Sequence, residues 1–262
     1  MALARAAEHA SLWDVVRDDA QALARGEPAF AAWMHEAILN HDDLGGALAQ
    51  LIAVAIGGDS DDRATIRRIV HTAYRSAPAL AATACRDLAA PLARDPACPG
   101  PLHVLLHFKG YLALQVHRVA HRLWLEGRRE LARELSVRTA RALHVSIHPS
   151  AVIGGGAFID HGTGVTIGAD VSIGDDLSML QGVTVGTAPD APGAPRIGHG
   201  VLLSAGAIVL GGIDVGDYAK VGAGSLVTSD VPSGCTAVGV PARLVNCSPD
   251  VRPASSMDQS LP

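Results

Sequence analysis

Asp160-His161-Gly162-Thr163-Gly164 is the stretch of this chain best suited to carry chemistry. An imidazole titrates near neutral pH, so His161 can take a proton from an alcohol and hand it back. The small residues that follow leave room for a ligand beside the ring. Asp160 precedes His161. His148 and His199 lie in the same half of the chain. The pairs His103/His107 and His117/His121 have the i,i+4 spacing that sets two imidazoles on one helix face. No Glu or Cys completes a metal site in the manner of HExxH. These pairs therefore read as packing or surface residues, and no metal is expected.

The segment around His161 has an unusual period. From Val145 to about Val231 an aliphatic residue is often followed by Gly, and the unit returns every six residues. The register runs through Ile167, Ile173, Met179 and Val185, then through Ile197, Leu203, Val209, Val215, Val221 and Val227. No α-helix carries a six-residue period. It is the mark of a parallel β-helix in which three hexads make one triangular coil. The aliphatic residue points inward, and the small residue after it lets the corner turn and pack. In its hexapeptide form this solenoid is left-handed, an exception to the usual crossover rule. Thr187–Pro195 places three Pro and a Gly in nine residues, which cannot continue coil strands. It reads as a loop projecting from the prism.

Residues from about Ser11 to Leu143 carry helical spacing instead. Ser11 can cap a first helix, with Asp14 supporting it. Pro28 can open a second over Ala29–Asn40, and a third over Leu44–Ile56 would stop at Gly57-Gly58. Further helices are expected near Arg63–Arg75, Pro78–Ala90, Gly110–Glu126 and Arg128–Leu143. In Gly110–Glu126, Leu112, Val116, Val119 and Leu123 recur on one face. The expected architecture is thus an α + β-solenoid. An N-terminal α-helical domain (1–144) is followed by a left-handed parallel β-helix (145–247) with its loop at 187–195. A tail over 248–262, rich in Ser, Pro and Asp, is expected to be flexible.

The chain is 48% hydrophobic but only 3% aromatic, so its core must be filled by Ala, Val, Leu and Ile. A net charge of −5 gives no basic footprint for nucleic acid. No apolar run reaches the roughly 20 residues of a bilayer span, and the N-terminus has no secretory pattern. A soluble, cytoplasmic protein is expected. Cys85, Cys98, Cys235 and Cys247 form no CxxC pair and read as free thiols in a reducing compartment.

Several segments resemble one family over nearly the whole chain. They are HDDLGGALAQLIA, ARDPAC, FKGYLALQVHRVAHRLWLEGRRELA, VSIHPSAVIG, IDHGTGVTIG, SMLQGVTVG, LGGIDVGDYAKVGAGSLV and GVPARLV. Together they resemble the serine O-acetyltransferases, which are hexapeptide-repeat acyltransferases. The resemblance implies direct acetyl transfer from acetyl-CoA to L-serine, giving O-acetylserine for cysteine biosynthesis. Acetyl-CoA is then a co-substrate, and no metal is needed. It implies that His161 is the general base, and that Asp160 and Asp95 hold the ammonium group of the acceptor. Two carboxylates facing one amine select an amino-bearing substrate. Donor contacts are implied at Gly186, Ala205, Gly206 and Lys220, in the groove between prisms of a trimer, with Lys220 meeting a CoA phosphate. The protein is then a homo-oligomer, a trimer or a dimer of trimers. Family members dock into cysteine synthase through a C-terminal peptide ending in Ile. This chain reads Ser260-Leu261-Pro262 there, and such docking is not expected.

Two positions depart from the family pattern. Ser146 stands where an Asp usually orients the catalytic His, and a hydroxyl stabilises an imidazolium far less than a carboxylate does. Gly193-Ala194 fall where an Arg-His pair grips the carboxylate of serine, and Arg196 is the nearby substitute. Three alternatives stay open. One is an O-acyltransferase for a different amino alcohol or a serine-derived acceptor. Another is a catalytically weak paralogue serving as a scaffold. The third is a zinc lyase on the same solenoid, like the γ-type carbonic anhydrases. That site needs closely spaced histidines, which His148, His161 and His199 do not supply.

Overall fold

The computed structural model describes residues 11–189, 191–248 and 250–260. Helix α1 (Leu12–Gly26) opens with a capping box. The Ser11 hydroxyl accepts from the Asp14 N–H, and the Asp14 carboxylate takes the Ser11 N–H at 3.0 Å. Helix α2 (Pro28–Met34) runs into a π-helical turn over His35–Leu39, a local widening of the helix expected there. Then come α3 (Leu44–Ile56) and α4 (Ser60–Ser76). Helix α5 (Pro78–Arg94) continues past the expected stop at Ala90, with Pro91 inside it. Beyond that proline, Arg94 is anchored to the β-helix by the Leu177 carbonyl at 3.0 Å and by Asp176 at 3.1 Å. Helix α6 (Pro101–His107) was not anticipated from the sequence. Helices α7 (Lys109–Leu125) and α8 (Arg129–Leu143) follow. Among the described residues no helix is long and apolar enough to cross a membrane.

From Val145 the chain winds into a left-handed parallel β-helix of about five turns. Its first face stacks β1 (Val145–Ile147), β4 (Val165–Ile167), β7 (Thr184–Gly186), β10 (Ile208–Leu210) and β13 (Leu226–Val227). The second holds β2 (Val152–Ile153), β5 (Ser172–Ile173), β8 (Arg196–Ile197) and β11 (Asp214–Val215). The third holds β3 (Phe158–Ile159), β6 (Ser178–Met179), β9 (Leu202–Leu203), β12 (Lys220–Val221), β14 (Cys235–Gly239) and β15 (Ala242–Cys247). The register read from the sequence is the inner wall: Ile167, Met179, Val185, Leu203, Val209 and Val221 are all buried. Where the third face turns into the first, each corner bonds the coil before it. Gly182 donates to the Thr163 carbonyl, Gly206 to Gln181 and Gly224 to Ala205.

Helix α7 belongs to both halves. Its Val116 and Val119 pack in the helical core, while Ala113 and Leu114 pack with the inner wall of the solenoid. The junction is locked by a buried ion pair. Asp87 on α5 is 0% exposed and accepts from Arg118 Nε at 2.6 Å and from Arg118 Nη2 at 2.9 Å. It also accepts from the Gln115 amide and from the Ala157 N–H of the first coil. Arg118 in turn donates to the carbonyls of Ile153 and Gly154.

Two expectations are corrected here. Cys235 and Cys247 form a disulfide, while Cys85 and Cys98 stay free. The pair arises because β15 folds back antiparallel on β14, which sets Cys235 opposite Cys247. The tail, expected to be flexible, carries a short helix α9 (Pro253–Ser256) with Pro253 and Ala254 buried. Ala254 packs with Leu180 and Leu202, apolar residues on the third face that would otherwise be wet.

Candidate active site

Helix α7 can begin against strand β3 only because residue 110 is glycine. A Cβ on Gly110 would stand 2.0 Å from the Ile159 carbonyl oxygen. This close approach brings Lys109, the first residue of α7, to the turn after β3, where its ammonium donates to Thr163 Oγ1. The same turn carries His161 in the left-handed region, at φ 55°. Asp95 caps the far end of α5, where its Oδ1 accepts from the Ala97 N–H at 2.8 Å. These pieces enclose a cavity of about 510 Å³ lined by Asp95, His103, His107, Lys109, Asp160 and His161.

Among the described residues, His161 is the solenoid histidine whose ring makes no hydrogen bond. His148 Nδ1 is 2.7 Å from Ser150 Oγ, and its ring packs edge-on to Trp124. His199 Nδ1 accepts from the Asp175 N–H at 3.1 Å. The His161 side chain is 72% exposed, with Nε2 3.7 Å from Asp160 Oδ2. Burial pushes the Asp160 carboxyl above its ordinary range, and the Asp95 charge adds to that shift, while His161 opposes it. Two carboxylates that disfavour each other in one cavity are arranged for an incoming cation. Because the folded pKa of Asp160 is raised, its contribution favours folding below the unfolded value and is lost as pH rises through the folded value. Asp160→Asn is therefore expected to raise the melting temperature of the ligand-free protein at pH 7, with the gain shrinking at pH 3. The same change is expected to weaken binding of an amino-bearing acceptor. A melting temperature that falls at pH 7 would contradict this.

The other expected site residues are distributed unequally. Ala205 and Gly206 occupy the same edge of the prism as His161, two coils further on, and Lys220 precedes the next corner of that edge. The Lys220 ammonium is occupied by the tail. It donates to the carbonyls of Asp258 at 3.3 Å and Ser260 at 2.6 Å. Gly186 lies away from this edge, at the end of β7 on the first face. Ser146 sits half-buried on β1 and makes no hydrogen bond to His161 among the described residues. Arg196 is on the second face, where Nε and Nη2 hold the Asp214 carboxylate at 2.6 and 2.8 Å, and it does not line the cavity.

His103 and His107, read from the sequence as packing or surface residues, pack on each other with ring centroids 4.6 Å apart, and both line the cavity. Burial, with His103 next in effect, pushes the His107 imidazole below its ordinary range. Lys109 was also missed as a site residue. Its signal was the Phe108-Lys109-Gly110 run, in which the glycine marks a close backbone approach. Among the described residues no group of three or more His, Cys, Asp or Glu converges as a metal site.

Comparison with known proteins points to one family. Residues 12–116 match the family model for the N-terminal part of serine acetyltransferases. The serine acetyltransferase of Haemophilus influenzae is 41% identical over 250 residues, which covers 95% of this chain and 94% of that protein. A soybean serine acetyltransferase complexed with serine superposes with a TM-score of 0.86 at 43% identity, over 89% of this chain and 97% of the other. A serine acetyltransferase in complex with CoA superposes with a TM-score of 0.85 at 41% identity, over 89% and 98%.

Proposed function

The chain belongs to the serine acetyltransferase family, and we propose that it moves the acetyl group of acetyl-CoA onto the hydroxyl of serine with His161 as the general base. The products are O-acetylserine and CoA, and the reaction serves cysteine biosynthesis. One observation carries the catalytic assignment. An uncommitted imidazole stands in a cavity with two carboxylates, at one end of a prism edge that leads past Ala205 and Gly206 to Lys220.

The chemistry follows from that placement. Asp95 and Asp160 receive the ammonium of serine and hold its hydroxyl toward His161. The imidazole takes the hydroxyl proton as the oxygen attacks the thioester carbon. The tetrahedral intermediate collapses, the C–S bond breaks, and the imidazolium returns the proton to the departing thiolate. Asp160, 3.7 Å from Nε2, stabilises the imidazolium while it lasts, a task Ser146 does not perform. The pantetheine arm runs along the edge past Ala205 and Gly206. The donor's phosphate group reaches Lys220 once the Asp258–Ser260 segment lets go of the ammonium. Gly186, on the first face, is the contact that a neighbouring prism would face.

The helical part, 1–144, supplies Asp95, the β-helix, 145–247, supplies Asp160 and His161, and the tail, 248–262, covers Lys220. The working form is a homo-oligomer, a trimer or a dimer of trimers. Exposed apolar residues such as Val152 (51%) and Leu125 (72%) support a covered face. A cytoplasmic site of action fits a donor that circulates inside cells. Docking into cysteine synthase is not part of this reading. Leu261 and Pro262 lie outside the described residues, and the approach before them is engaged with Lys220.

A second reading is favoured by Arg196, whose guanidinium is committed to Asp214. An acceptor without a free carboxylate, such as a serine derivative, would need no such residue. Thiol release from acetyl-CoA with serine, homoserine, threonine and serine amide separates the two. The highest kcat/KM is expected for serine. A higher value for the amide would establish the second reading, and no CoA release with any of them would leave a scaffold.

A further inference from the structure

We propose that Lys109 receives the carboxylate of the amino-acid acceptor and thereby selects a free amino acid over its neutral derivatives. The proposal rests on the serine-acetyltransfer reading and names a specificity residue within it. Serine enters as a zwitterion. Asp95 and Asp160 offer two negative groups for its ammonium, so its carboxylate needs a cation in the same cavity. Gly193 and Ala194 carry no charge, and Arg196 is held by Asp214 on another face. Burial disfavours the charged form of the His107 imidazole. Lys109 is the lysine or arginine that lines the cavity.

Its position suits the task. The ammonium donates to Thr163 Oγ1, two residues beyond His161, so the charge sits beside the turn that carries the base. One hydroxyl uses one of its three N–H donors and leaves the rest for a ligand. The first turn of α7 opens at the same place without any side-chain cap. The positive end of the helix dipole there favours an anion. The Gly110 approach to Ile159 fixes this helix end against β3, so the lysine starts from a rigid base.

The test compares Lys109→Met and Lys109→Arg with the unaltered protein in thiol-release assays, using serine and serine amide. The amide keeps the ammonium and hydroxyl but has no carboxylate. Lys109→Met is expected to raise KM for serine by about 10- to 100-fold, the scale of a charge-assisted pair. KM for acetyl-CoA and the melting temperature are expected to stay as they were. The constants for serine amide, or its inhibition constant against serine if turnover is slow, are expected to change less than about threefold, since the amide makes no ion pair to lose. Lys109→Arg is expected to recover part of the serine affinity. An equal loss for serine and its amide would overturn the proposal, as would an unchanged KM for serine. The parent reading fails separately, if the unaltered protein releases no CoA with serine.

Discussion

His161→Ala is expected to cut CoA release from acetyl-CoA and serine by about 10²-fold or more, the typical contribution of a general base. The hydroxyl of serine has a pKa far above 7, so without a base its proton stays on as the oxygen approaches the thioester. In the proposed reaction Asp160 holds the ammonium, and His103 and His107, which line the same cavity, come from α6 rather than from the turn that carries His161. The fold has little at stake, because the side chain is 72% exposed and its nearest charged partner is 3.7 Å away. His161→Asn makes a second variant, since Asn tolerates the left-handed backbone at φ 55° better than Ala does. Both variants should melt near the parent temperature and keep their affinity for acetyl-CoA. Retention of more than about a tenth of the parent rate by either would remove His161 from the role, because a general base contributes far more than that.

Asp87→Ala is expected to destabilise the protein by about 3–5 kcal/mol, the usual result of leaving one partner of a buried ion pair uncompensated. Asp87 is fully buried, and Arg118 opposite it has a side chain 7% exposed. Removing the carboxylate strands the guanidinium and also frees the Gln115 amide and the Ala157 N–H. Those groups come from α7 and the first coil, so the damage falls on the seam between the two halves. The same seam sets the distance from α7 to β3 and thereby the position of Lys109. At roughly 2–4 °C per kcal/mol for a chain of this size, the melting temperature should drop by about 6–20 °C. Replacing both partners by apolar residues, Asp87→Leu with Arg118→Met, should recover part of the loss, because no buried charge then remains. A loss below about 1 kcal/mol for Asp87→Ala, the scale of an exposed pair, would mean that the seam is held by apolar packing alone.

Much of this architecture is written in neighbouring residues. The hexad register from Ile167 to Val227 needs only a window of a dozen residues to show a parallel solenoid, and each of its aliphatic positions is buried. The Ser11 cap and the stop at Gly57 are likewise local, since a helix end is satisfied by groups a few residues away. His161 stands out as a candidate because its motif, Asp160-His161-Gly162-Thr163-Gly164, is contiguous. Helix α6 escaped because seven residues carry too little periodicity to separate a helix from a turn.

What the sequence determined by itself is therefore whatever a short run can encode: the coil period, the helix caps and the Pro-rich break in the coil after β7. What only the tertiary structure decided are the pairings across long separations. Lys109 reaches Thr163 over a separation of 54 residues because Gly110 lets α7 touch β3. Arg196 is spent on Asp214 because β8 and β11 are neighbours on the second face, one coil apart. Cys235 meets Cys247 because the last strand reverses direction, and Lys220 is covered because α9 finds an apolar seat on the third face. In each case the partner is chosen by which coil or helix end lies alongside. Stacking and packing settle that, and no local pattern of residues records it.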